Sequence, residues 1–205
     1  MPEGNNIHIQ VFSIEHLLVN ITKHVLVPPL RILAEEEKDK IVETDIGSPK
    51  LNWHEIPLKQ EINTKNLNLK LIDNDNKEYY GGIAVNVGNP HVIFFLENIE
   101  NINLSRIGPE IENNELFPER CNVTLAKIIN RDLIKVKVWE RGAGLTKACG
   151  TAACATAVAA NQQNLSNSRT FIEFKSGKLL INIDDFNKIQ MSGPVSDIKN
   201  IQIEI

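Results

Sequence analysis

Cys149 stands in the stretch ERGAGLTKACGTAACATAVAANQQN (residues 140–164), where a glycine-rich approach becomes an alanine-rich run that reads as a helix. A helix start leaves its first N–H groups without intrahelical partners and carries about half a positive charge, so it attracts anions and lowers the pKa of a thiol placed there. Gly150 leaves room for a carboxylate to approach its own amide and that of Thr151, and the Thr151 hydroxyl adds a donor. Three chemistries suit such a thiol: acylating nucleophile, redox thiol, or general acid and base at a carbon beside a carboxylate. The first would want a histidine base, and His91 follows a Gly-Asn-Pro turn in VGNPH. The second would want a resolving partner, and none is close in sequence. The bland reading is a glycine-rich turn with a small cysteine packed inside it. Gly142, Gly144 and Gly150 together with the Glu140-Arg141 pair exceed what such a turn needs.

These residues must be positioned by strands. KIVETDIG (40–47), GGIAVNVG (81–88), HVIFFL (91–96), NVTLAKII (122–129), LIKVKVWE (133–140), TFIEFK (170–175) and KLLINI (178–183) are apolar or alternating and are bounded by turn residues. Helical spacing is clear around Val11, Ile14, Leu18 and Ile21, and from about Thr151 to Gln163. The fold class is therefore α+β with strands dominating. The second helix has almost no polar face, so it must be buried with a sheet wrapped around it. LAEEEKDKI reads as a solvated turn between strands, and NTKNLNLKLIDNDNK as a surface excursion.

A chain of 205 residues can bury roughly 70 % of its unfolded surface and needs no metal or disulfide to hold a core. Its net charge of −4, with scattered Lys and Arg, speaks against a nucleic-acid partner. No apolar run suits a membrane span and the first residues do not read as a signal peptide, which points to a cytoplasmic protein. Cys121, Cys149 and Cys154 include no C-x-x-C pair, which argues against a disulfide framework and a zinc site. Cys154 lies about 140° around the helix from Cys149. Cys121 and Cys154 read as small buried hydrophobes.

VGNPH (87–91), FPERCNV (117–123) and ERGAGLTKACGTAACA (140–155) resemble, in order and spacing, the second half of the diaminopimelate epimerases, cofactor-independent amino acid epimerases. The similarity runs from about Lys40 to the C-terminus and includes MSGPV (191–195); Ala152 departs from a glycine common in the family. The resemblance implies two similar lobes, each a set of strands around a central helix, with the substrate between them. Each lobe supplies one cysteine, and the two thiols face opposite sides of the substrate α-carbon, one removing a proton and the other returning one. It makes Cys149 the acid/base of the second lobe and has Gly150 and Thr151 hold the reacting carboxylate. Glu140 would grip the α-ammonium and Arg141 a carboxylate. Asn89 and Asn122 match substrate-binding asparagines, and His91 a histidine near the thiols. Read alone, Asn89 is a turn former and Asn122 a strand-edge residue. No cofactor is implied, the partner is a small amino acid, diaminopimelate, and a homodimer is compatible with the resemblance.

The pattern thins at the N-terminus. The family's first thiol lies in a C-G-N-G/A-x-R type motif; Gly4 and Asn5 match the G-N pair as substrate-binding residues, which puts Glu3 at the cysteine position. The alternative is a chance match in an altered N-terminus. The expected division is residues 1–47 as a remnant of the first lobe, 48–192 as the second lobe, and 193–205 as a return segment. A helix over residues 7–21 would then leave Ile9, Val11, Phe12, Ile14, Leu17 and Leu18 poorly covered. Without the first-lobe cysteine the expected activity is an impaired or absent inversion of LL-diaminopimelate to the meso form. The competing readings are a non-catalytic remnant that binds an amino acid or a partner, and a cysteine hydrolase built on Cys149 and His91.

Overall fold

The computed structural model describes residues 41–194 throughout and, before them, the backbone of residues 13–14, 17–18 and 31–34. In chain order the strands are β1 (Ser13–Ile14), β2 (Leu17–Leu18), β3 (Arg31–Ala34), β4 (Ile41–Gly47), β5 (Leu69–Ile72), β6 (Glu78–Gly81), β7 (Ile83–Asn86) and β8 (Pro90–Phe95). Helix α1 (Leu104–Glu112) follows, then β9 (Asn122–Asn130), β10 (Leu133–Glu140), β11 (Gly144–Thr146), helix α2 (Gly150–Gln162), β12 (Arg169–Phe174), β13 (Gly177–Ile183) and β14 (Ile189–Pro194). A ten-stranded mixed sheet runs β3-β4-β14-β13-β12-β10-β9-β8-β7, with β11 paired to β10. The β8–β9 and β10–β12 pairs are parallel, and α2 lies in the crossover between the latter two.

α2 packs against β7, β8, β9, β12, β13 and β14, so the sheet curls around it. Ala152, Ala153, Ala155, Ala157, Ala159 and Ala160 are each fully buried, and alanine both favours the helix and lets the strands approach closely. The C-terminus is closed by a Schellman motif: Asn164 turns left-handed at φ 56°, its N–H reaches the Asn161 carbonyl, and the Leu165 N–H returns to Ala160. The opposite face of the sheet forms a second core, in which Val92, Phe94, Val123 and Leu125 meet Ile107 and Ile111 of α1 and Ile56, Leu58 and Leu67 of the long β4–β5 connection. Strands β8 and β9 are thus buried on both faces.

The α+β class, the seven strand runs and the buried alanine helix agree with the sequence reading, and Cys121 and Cys154 are fully buried. Two regions differ. Within the helix expected over residues 7–21, Ser13–Ile14 and Leu17–Leu18 are paired antiparallel strands, because apolar residues spaced for a helix also suit a tight hairpin with a two-residue connection; the rest of that segment lies outside the described residues. The Asn-rich stretch is more than a surface excursion: it contains β5, and Leu67 and Leu71 anchor it in the second core. LAEEEKDKI, read as a turn between strands, does run from β3 to β4, which pair antiparallel; residues 35–40 are outside the described part.

Candidate active site

The strand register assembles the site. His91 pairs with Val85 on β7 and with Asn122 on β9, and the Val123–Trp139 pair places Glu140 beside Asn122. His91, Asn122 and Glu140 therefore form a row across three strands. They share the sheet face of Ile93, Ala126 and Val138, which is the face packed on α2. After Glu140 the chain turns back through a bond from the Ala143 N–H to the Glu140 carbonyl, with Gly142 at φ 74°, a conformation that favours glycine.

Cys149 is the N-cap of α2 in extended conformation (φ −150°, ψ 117°), and its side chain makes no capping bond. The thiol is 6 % exposed and lies 3.4 Å from the Thr151 hydroxyl. Burial pushes its pKa up to about 12; the nearby Glu140 carboxylate adds to this, while the Thr151 hydroxyl and the Ala152 amide pull the other way. The lowering expected at a helix start is thus opposed here by burial, which shifts the thiol upward.

His91 is fully buried. Its Nε2 lies 2.9 Å from Asn89 Oδ1, an arrangement in which the ring donates to that oxygen, and Nδ1 is left without a partner. Burial, and then the charge of Arg141, lower its pKa to about 3, so the ring is neutral. The Asn122 amide donates to the Pro90 carbonyl (3.0 Å), and its oxygen accepts from the Arg141 backbone N–H (2.9 Å). The Arg141 guanidinium donates to the Glu119 carbonyl at 2.7 Å. Cys149 bonds Thr151 while His91 bonds Asn89, so the hydrogen bonding of a cysteine hydrolase dyad is not formed.

Asn89, His91, Asn122, Glu140, Arg141, Cys149, Gly150 and Thr151 belong to one end of the sheet and the adjoining start of α2. Gly4 and Asn5, with Glu3, lie outside the described residues. Two contributors were not singled out as site residues from the sequence, although Met191 lies in the MSGPV stretch. Met191 on β14 comes close enough that a Cβ on Gly150 would lie 3.1 Å from its Sδ, so the glycine admits this packing. Glu112, 5 % exposed at the end of α1, accepts hydrogen bonds from Trp139 and Gly142 on either side of the Glu140-Arg141 pair. Among the described residues no cluster suited to a metal ion is present, and no helix is long and apolar enough to cross a membrane.

The family model described as diaminopimelate epimerase matches residues 83–198, which contain this end of the sheet and α2. The chain belongs to the diaminopimelate epimerase family. A diaminopimelate epimerase of Pelagibacter ubique is 64% identical over 167 residues, covering 82% of this chain and 61% of that one. One from Zymomonas mobilis is 42% identical over 152 residues, covering 74% and 55%. The chain thus spans little more than half to three fifths of the lengths of these family members. Among solved structures, a predicted epimerase from Pseudomonas aeruginosa aligns with a TM-score of 0.54 at 12% identity, covering 85% of this chain and 63% of that one. A Bacillus anthracis phenazine biosynthesis protein of the PhzF family aligns at 0.52 and 12%, covering 85% and 65%. These two likenesses establish the fold.

Proposed function

We propose that this chain supplies the second-lobe half of an epimerase site that converts LL-diaminopimelate to meso-diaminopimelate without a cofactor, with Cys149 as one of two proton-transfer groups. The observation that carries the reading is the uncapped start of α2 at Cys149, set against the row of His91, Asn122 and Glu140. The free N–H groups of Gly150 and Thr151 suit a carboxylate, and holding it there stabilises the negative charge that develops when the α-carbon loses its proton. Burial favours the protonated thiol of Cys149, which suits it to the acid's part: its S–H bond breaks as a new C–H bond forms on one face of the α-carbon. A base on the opposite face takes up the original proton, and the described residues supply no second thiol for it, since Cys121 and Cys154 are fully buried. An α-ammonium held by Glu140 would cancel the charge that helps keep the Cys149 proton in place, which eases its release. β4 and β14, which pair from Gly47–Ile189 to Ile41–Pro194, are the proposed junction with the first lobe.

Incubating the protein with LL-diaminopimelate in heavy water and following α-deuterium by mass, with chiral separation, tests the reading. Exchange with inversion supports an epimerase, and exchange without inversion a single working thiol. Binding without exchange would replace catalysis by amino acid binding, and the absence of both would overturn the proposal.

A further inference from the structure

We propose that Glu112 is the positioning residue for the Glu140-Arg141 pair, clamping the chain on both sides of it. This rests on the reading of that pair as the grip on an amino acid substrate. Glu112 Oε2 accepts from the Trp139 indole N–H at 2.7 Å, and Oε1 accepts from the Gly142 backbone N–H at 3.0 Å and from Arg120 at 3.3 Å. One carboxylate thus holds the residue before the pair and the residue after it, while Asn122 holds the amide of Arg141 between them. The seat is shaped for this. Gly108 lies one turn earlier on the same face of α1, and a Cβ there would sit 2.5 Å from the Trp139 ring, so its absence lets the indole lie against the helix and reach Glu112.

The chemistry of the clamp requires a carboxylate. Three donors converge on two oxygens, and a glutamine has a single acceptor oxygen, so its NH₂ would face an N–H whichever way it turned. A buried donor left without an acceptor is costly, and the chain can avoid that cost by moving the turn that carries Glu140 and Arg141. The carboxylate's backbone and indole partners belong to the turn and the strand end, so the force it applies falls on the site.

The test compares the full-length wild type with Glu112→Gln and the milder Trp139→Phe, using amide hydrogen exchange at single-residue resolution and calorimetric titration with diaminopimelate. In Glu112→Gln, exchange at Gly142 and Arg141 rises about 10-fold or more while Val136 and Val138 in β10 hold their wild-type rates, and diaminopimelate affinity falls about 10-fold. Trp139→Phe, which keeps a smaller aromatic ring and removes one donor, gives a smaller change in the same residues. Unchanged protection at Gly142, or equal acceleration throughout β10, overturns the positioning role; the latter is what a purely global stabiliser would give. If the wild type does not bind diaminopimelate, the substrate reading fails, and the exchange contrast still decides whether Glu112 holds the turn.

Discussion

Helices α1 and α2 pack on opposite faces of one sheet and begin differently. α1 is amphipathic and closed at its start: the Asn103 side chain accepts from the Arg106 N–H at 3.3 Å. α2 is apolar almost all round and starts at a cysteine whose side chain closes nothing. A short surface helix needs its cap, because little else satisfies its first amides. A helix enclosed by a sheet is held by packing, and its first amides are then free to meet a ligand. α1 thus depends on its cap as well as on the face of Leu104, Ile107 and Ile111 that packs on the sheet, and α2 on packing alone.

The comparison can be broken in four places. The largest effect is expected at the start of α2: Cys149→Ala should lower α-proton exchange about 10²–10⁴-fold, the usual worth of a positioned acid or base, with little change in melting temperature. Preserved exchange would remove Cys149 from the chemistry. Next comes acid sensitivity on the α2 face. The folded chain holds His91 near pKa 3 against an ordinary 6.5, so the unfolded chain takes up a proton that the folded one refuses. Stability should therefore fall as pH drops from about 6.5 toward 3, with a slope of up to about 1.4 kcal/mol per pH unit from this residue. Urea midpoints for wild type and His91→Gln across that range should diverge in slope. Cys149 acts at the alkaline end, where its raised pKa makes stability decline as pH climbs from about 9 toward 12.

On the α1 face, Gly108→Ala pushes a methyl group into the Trp139 ring and should destabilise by about 1–3 kcal/mol. The smallest effect is the loss of the α1 cap: Asn103→Ala should lower stability by about 1 kcal/mol and leave α-proton exchange unchanged. Chemical denaturation checks both, and a loss of exchange in Asn103→Ala would show that the two faces are coupled more tightly than the sheet between them suggests.

What was legible in the sequence follows the same division. The strands of the large sheet announce themselves by alternation or by continuous apolar runs, and α2 by its alanines, because burial there is decided by local pattern. α1 was not foreseen: Gly108-Pro109 interrupts it with two residues that disfavour helix interiors, and only contact with the sheet makes it form. β5 hides among asparagines whose side chains serve turns, while Leu67, Leu69 and Leu71 pack inward. The residues of the motif could be read because their chemistry is unusual for a turn. The thiol's protonation could not, since it depends on how deeply the strands enclose it. Glu112 reaches the site from a distant segment with no motif around it, and Met191, though within MSGPV, carries no sign there of its contact with Gly150.

The protonated state of Cys149 has a practical corollary. Thiolates are the nucleophiles that react with peroxides and alkylating reagents, so a sulfur whose pKa burial raises reacts slowly with them at neutral pH. Burial thereby shields this sulfur without a disulfide, and iodoacetamide labelling that is slow at neutral pH and keeps rising with pH beyond about 9, where an ordinary thiol levels off, would be its signature.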